Sequence, residues 1–324
     1  MDYVNGTINF LSGFSGIFLS TIAIYNVLTF SCENQSKEYK KLLIFQFSGG
    51  FLSSLIQLVL KIQIFVIHDN VVVILDRFSN YLQNHILLKL LCSIRVYFIY
   101  FNISVPTIIL ISRYYYICTE KQITKIRFCY LILYAILCPV LVSTSNWFTF
   151  TSDIPKSLSQ WIETNNIKYS IFEKKVYGIS CKINSTKSLP AYFGVPIYFG
   201  LNYVLVFTHY IKYKKHMHKF TTVMSDITKK INKEFMRISI LQCIVPLLIS
   251  LFPVLYYIVS LLLLPNLFIA TFGTHLIQIL SLIPIINVTL FIFLPSKSRK
   301  KFISFTRKIK DKIICKNFTI TKFI

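Results

Sequence analysis

Seven times along its 324 residues this chain turns apolar for long enough to cross a lipid bilayer. The runs are Ile8 to Phe30, Leu42 to Ile67, Leu87 to Ser112, Phe128 to Phe150, Leu189 to Ile211, Phe235 to Leu264 and Leu267 to Leu294. A hydrocarbon core of about 30 Å takes about 20 residues of helix, and every backbone polar group within it must be satisfied inside the segment. The expected fold is therefore an all-α membrane protein, a bundle of seven transmembrane helices. Composition agrees: 54% hydrophobic, 15% charged and a mean hydropathy of +0.60 leave more apolar surface than a soluble domain of this size can bury. No repeat or low-complexity linker divides the chain. Residues 1–294 are expected to form the seven-span domain and 295–324 a basic tail. The start, Met1-Asp2-Tyr3-Val4-Asn5, lacks a basic segment, and no small-residue cleavage pattern follows the first run. That run is expected to be an uncleaved anchor.

The chain carries 35 Lys and Arg against 12 Asp and Glu, a formal charge of +23. With the N-terminus outside, segments 31–41, 113–127, 212–237 and 296–324 lie inside and hold 3, 4, 8 and 10 basic residues, 25 of the 35. The outer segments hold seven, and Lys61, Lys89 and Arg95 stand within apolar runs. Positive charge gathers on the cytosolic side, so the expected orientation is N-terminus outside and C-terminus cytosolic. The charge then faces anionic inner-leaflet lipids and cytosolic proteins. Nucleic acid is not an expected partner, because the basic stretches are separated by spans. The sequons at Asn5 and Asn184 fall in outer segments and are candidate glycosylation sites; those at Asn34, Asn102, Asn287 and Asn317 fall in membrane or cytosol. In the tail, Lys297, Arg299, Lys300, Lys301, Arg307, Lys308, Lys310 and Lys312 interleave with Phe302, Ile303, Phe305, Ile309 and Ile313. An amphipathic helix on the inner leaflet and a disordered basic tail both fit that pattern.

Of eight cysteines, none forms a CxxC pair or a cluster with histidines at metal-ligand spacing. Only the outer side is oxidising, which singles out Cys92, near the outer end of the third span, and Cys181, in the long outer loop. A bridge between them would fold that loop over the bundle; two unpaired thiols are the alternative. Cys118 and Cys315 face the cytosol, Cys315 as a lipidation site or an ordinary thiol. There is no GxSxG, HExxH or Walker sequence, and His216-Met217-His218 lacks a third ligand. No catalytic set, metal or cofactor is expected.

Ionisable groups inside a span are costly and therefore mark candidate functional positions. Lys61, at the top of the second run, is placed to snorkel to the outer surface. Arg95, beside Tyr97 and Tyr100, is either a ligand-facing cation or a second snorkelling residue. His275, with Gln278 near the same face, either contacts a ligand or bonds a neighbouring helix. In the sixth span Gln242, Pro246 and Pro253 form Gln-x3-Pro-x6-Pro. Each proline removes a helical hydrogen bond, so a hinge or a static kink is expected there, with Gln242 bonded to a neighbouring helix.

These features resemble the nematode serpentine chemosensory receptors. The likeness rests on Ser112-Arg113-Tyr114-Tyr115 closing the third span, on Gln242-Cys243-Ile244-Val245-Pro246 with Pro253 in the sixth, and on Pro295-Ser296-Lys297-Ser298-Arg299 after the seventh. The Srh and Sri branch of the Str superfamily is the most similar. The resemblance implies a G-protein-coupled receptor of the sensory membrane, tuned to an odorant, pheromone or other small molecule and coupled to a heterotrimeric G protein. It also implies that Arg113, with Tyr114, faces that G protein. Two departures stand out: Ile111-Ser112 replaces Glu-Asn before the Arg-Tyr pair, and Ser298-Arg299 replaces Tyr-Arg after span seven. Rival readings are a seven-helix ligand-gated channel and a transporter, the latter disfavoured by an odd span count without inverted-repeat symmetry.

Overall fold

A computed structural model of the chain describes residues 2–29, 37–67, 70–75, 84–118, 124–151, 178–182, 185–220, 224–263 and 272–294. In chain order its elements are α1 (Asp2–Thr29), α2 (Lys37–Val59), β1 (Ile62–Ile67), β2 (Asn70–Leu75), α3 (His85–Cys118), α4 (Lys125–Thr149) and β3 (Gly178–Lys182). A 3-10 turn (Thr186–Ser188), α5 (Leu189–Lys219), α6 (Asp226–Leu263), α7 (Phe272–Leu280) and α8 (Ile283–Phe293) follow. Among the described residues seven helical segments are long and apolar enough to cross a membrane, the seventh being α7 and α8 together. The fold is the expected helix bundle.

Most helices overrun their apolar stretches, because helix continues into the interface and beyond while hydropathy reports only the lipid-facing length. Polar residues supply the starts. Asn84 accepts from the Ile86 and Leu87 amides, Thr124 from Arg127 and Ser225 from Thr228, each occupying N–H groups that a first helical turn leaves unpaired.

Lipid tails are as apolar as leucine, so helices in a bilayer associate through close packing rather than through the hydrophobic effect. Small residues provide it here. A Cβ added at Gly16 would collide with the Ser54 side chain, one at Gly49 with the Phe101 ring, and one at Gly13 would stand 2.6 Å from Leu58. These positions draw α1, α2 and α3 together. Outside the bundle Phe10, Phe14, Phe18, Leu141, Phe148 and Phe193 remain exposed, as a lipid-facing surface requires. The core is α3, in which every residue from Phe101 to Arg113 is buried. A helix buried on all faces is a pillar, and α2, α4, α5 and α6 pack around it.

The second apolar run does not continue as helix. α2 stops at Val59, and Ile62–Ile67 forms β1, paired antiparallel with β2 from Ile62↔Leu75 to Ile67↔Asn70. β2 pairs in turn with β3, from Asn70↔Lys182 to Ile74↔Gly178, and an isolated bridge joins Thr151 to Ser180. Lys61 therefore lies in the turn entering the sheet rather than on a helix. The run is continuous because the sheet, lying against the bundle, is as apolar as the span before it. α7 holds the sheet on: the Thr274 hydroxyl donates to the Ile64 carbonyl and accepts from the Ile64 amide, both at 3.0 Å.

A second departure lies in the seventh run, which breaks between Leu280 and Ile283 with Pro284 inside the first turn of α8. The sixth span, where the hinge was expected, is helical from Asp226 to Leu263 with Pro246 and Pro253 inside it. The N-linked candidate Asn184, the tail from 295 and Cys315 lie outside the described residues, as do the side chains of Asn5 and Pro253.

Candidate functional site

Two arginines on α3 anchor two polar centres. Arg95 lies ten residues into the helix, about 15 Å from its start, and Arg113 eighteen residues further, about 27 Å away. The first is at the sheet end of the bundle, the second at the opposite end.

At the sheet end, Cys92 and Leu88 of α3 pack against Val71, Val73 and Ile179, roofing the bundle with β-branched side chains. One turn below Cys92 the Arg95 side chain is only 2% exposed. Its guanidinium donates to the Ser53 carbonyl of α2 at 3.0 Å and to the Ser281 hydroxyl in the break of the seventh span. It points into the bundle, which decides against snorkelling. Toward the sheet along α7, His275 Nδ1 lies 3.3 Å from Gln278 Oε1, with Gln278 buried and His275 half-buried. The Ser281 amide donates to the Ile277 and Gln278 carbonyls, so these residues form one stretch of helix with Arg95 at its end.

Tyr97 and Tyr100 do not join this group. Tyr97 packs its ring on Phe98 and Phe101, within the cluster shared by α2 and α4. Tyr100 stacks edge-on with Tyr198 at 5.0 Å on α5, and the Tyr198 hydroxyl donates to the Tyr100 carbonyl. Residues two and five positions along a helix from Arg95 leave its face.

Of the two readings open for Cys92 and Cys181, a bridge or two unpaired thiols, the structure has the second: both are buried free thiols. Cys181 pairs with Val71 and its thiol donates to the Lys182 carbonyl at 3.5 Å. Ladder bonds, the Thr274 clamp and apolar packing already hold the sheet. Burial pushes the Cys181 thiol up to about 11.

At the opposite end, Arg113 donates from Nε to the Tyr39 hydroxyl of α2, and its guanidinium lies 4.9 Å from the centre of the same ring. This is a cation held by a phenol and by the face of an aromatic ring. Tyr114 is half-buried, edge-on to His209 of α5 at 5.3 Å.

Between the two centres lies a separate set of polar contacts. Asn287 of α8, six residues past Ser281, donates to the Asn102 carbonyl of α3 at 3.1 Å and accepts through its own carbonyl from Gln242 of α6 at 2.9 Å. Gln242 thus bonds a neighbouring helix, as expected. Ser20, both polar atoms of Gln46 and the Asn287 side-chain oxygen are buried without a hydrogen-bond partner among the described residues. Such groups are satisfied by internal water where space allows. Among the described residues no group of three or more His, Cys, Asp or Glu is placed to hold a metal.

Sequence reasoning found the arginines, His275, Gln278 and Gln242 because a polar residue in an apolar run is conspicuous. It missed Ser53, Ser281, Tyr39 and Asn287. Ser281 had a local signal, Pro284 three residues on; the Ser53 carbonyl had none, since backbone oxygens carry no sequence mark.

No curated protein matches the sequence. A crystal structure of squid rhodopsin is similar in fold, with a TM-score of 0.63 at 14% identity over 95% of this chain and 85% of that one. The architecture is therefore rhodopsin-like. A family model described as serpentine type 7TM GPCR chemoreceptor Str matches residues 5–303, which include every described helix except the first three residues of α1. A multi-pass membrane protein of seven spans, this chain belongs to the Str family of serpentine 7TM GPCR chemoreceptors.

Proposed function

We propose that the chain binds a small extracellular chemical between α3 and α7 beneath the sheet and signals to a heterotrimeric G protein at the opposite end. In this account the sheet end faces outward at the plasma membrane, because 25 of the 35 basic residues belong to the tail and to the segments between spans that alternate with those carrying the sheet. The observation that carries the proposal is that the span whose break bonds Arg95 through Ser281 also bonds α3 and α6 six residues further on, through Asn287 to Asn102 and Gln242. A ligand that engages Arg95, His275 or Gln278 changes how the seventh span sits at its break. α8 moves with it, and the Asn287–Gln242 bond carries the shift to α6, beside the face of Arg113 and Tyr114. A ligand that favours the shifted arrangement over the resting one moves the population accordingly. Pro246 and Pro253 give α6 places to flex.

The test is a second-messenger assay on cells expressing the full chain, with chemicals applied outside. A response abolished by blocking G proteins is expected. In His275→Ala the dose-response curve should move to higher concentration while surface expression persists. A current that survives G-protein block would instead identify a channel.

A further inference from the structure

All seven apolar runs together contain no aspartate or glutamate. Arg95 is nonetheless buried in the middle of them, at 2% exposure. Among the described residues it makes two hydrogen bonds, to the neutral oxygens of Ser53 and Ser281, and no ion pair. A guanidinium has five N–H donors, and a charge removed from water is ordinarily offset by an opposite charge as well as by hydrogen bonds. Helix dipoles do not supply that offset. At the break the negative end of α7 meets the positive end of α8, so the two contributions oppose each other beside the cation. The polar groups at this end, Ser53, Ser281, His275 and Gln278, carry no negative charge, and above them Cys92 packs with Val71, Val73 and Ile179 of the sheet.

A buried, forked cation with no carboxylate against it among the described residues, beneath an apolar roof, is complementary to a small anion with an apolar body. We propose that Arg95 is the anchor for a small carboxylate, whose planar group takes two guanidinium hydrogens and whose hydrocarbon portion lies against the underside of the sheet. This rests on the ligand position given under Proposed function and names the chemistry it takes. Paired N–H donors match the two carboxylate oxygens, and the low-dielectric setting strengthens the pair. The Ser281 hydroxyl is the weaker of the competing acceptors, so capture of the carboxylate draws the guanidinium away from the break. The ligand charge is then the trigger, because a neutral ester offers one uncharged acceptor, too weak to displace Ser281.

The experiment uses the full chain in lipid nanodiscs and follows its thermal unfolding with butanoate, octanoate, dodecanoate and benzoate, each beside its methyl ester. At least one acid is expected to raise the unfolding temperature while its ester does not, and Arg95→Gln should weaken binding of that acid roughly tenfold to a hundredfold. Ser281→Asp, which fixes a carboxylate beside the guanidinium without removing it, should stabilise the empty protein and abolish the shift with acid. No stabilisation by any acid, equal stabilisation by acid and ester, or an undiminished shift in Arg95→Gln would overturn the anchor. So would a lowered unfolding temperature in Ser281→Asp. G-protein-dependent responses to neutral chemicals, equal in the wild type and Arg95→Gln, would remove the anchor and leave the receptor reading standing; loss of every G-protein-dependent response would strike that reading instead.

Discussion

The two ends of α3 handle a buried arginine in opposite ways. Arg113 is 6% exposed and rests on Tyr39, which offers a hydroxyl acceptor and an aromatic face to the same cation. It also stands five residues from the end of the helix, within reach of the polar interface. Arg95 is buried more deeply and, among the described residues, hydrogen-bonds to a backbone carbonyl and a serine. The contrast teaches where the molecule is complete by itself and where it is not. The Arg113 end carries its own lock, one that replaces the carboxylate absent at Ile111-Ser112 with a phenol from another helix. The Arg95 end, on the proposal made above, holds its charge for a ligand.

Replacing each arginine by methionine is the strongest way to break this comparison, because the two changes should differ in sign. Arg95→Met removes an unbalanced buried charge and should stabilise the ligand-free protein by about 1–4 kcal/mol. Arg113→Met gives up a hydrogen bond and a cation–π contact and should destabilise it by about 1–3 kcal/mol. Thermal unfolding in nanodiscs measures both, and shifts of the same sign would erase the distinction.

Tyr39→Phe sharpens the account of the lock. It keeps the ring under the guanidinium and removes only the hydroxyl, so stability should fall by about 1 kcal/mol. If that bond restrains the inner end of α3, ligand-independent signalling should rise in the second-messenger assay; a basal level equal to wild type would show that the bond is structural only.

The smallest effect concerns the roof of the Arg95 end. Burial raises the Cys181 thiol to about 11, so at neutral pH it is protonated. Maleimide labelling of the folded chain should be slow near pH 7 and accelerate as pH rises toward that value, since the thiolate is the nucleophile. A folded pKa above the unfolded one leaves the thiol's contribution to stability intact below about 9. The contribution is lost as pH climbs through 11. Fast labelling at pH 7 would mean that the sheet does not cover Cys181 in solution.

The helix count was legible because lipid imposes a length that hydropathy reports directly. What lay outside that rule was lost. Ile62–Ile67 merged with the second span because β1, covered on the bundle, shows no regular polar alternation; only Gln63 interrupts it, and Gln63 is itself buried. The sixth helix begins at Asp226, nine residues before the apolar run, since Lys229, Lys230 and Lys233 continue a helix without adding hydropathy. At the site, Arg95 and Arg113 were conspicuous, but their partners are a backbone oxygen, a serine and a tyrosine from distant segments. Such partners emerge only when helices are brought together, and so did the separation of Tyr97 and Tyr100 from Arg95.

The account rests on which end faces out. An epitope inserted within segment 152–177 and another after Ile324 place the two ends in intact cells. Antibody should reach the first without permeabilisation and the second only after it. The reverse pattern would put the sheet and Arg95 in the cytosol, and the chemoreceptor mechanism described here would be contradicted.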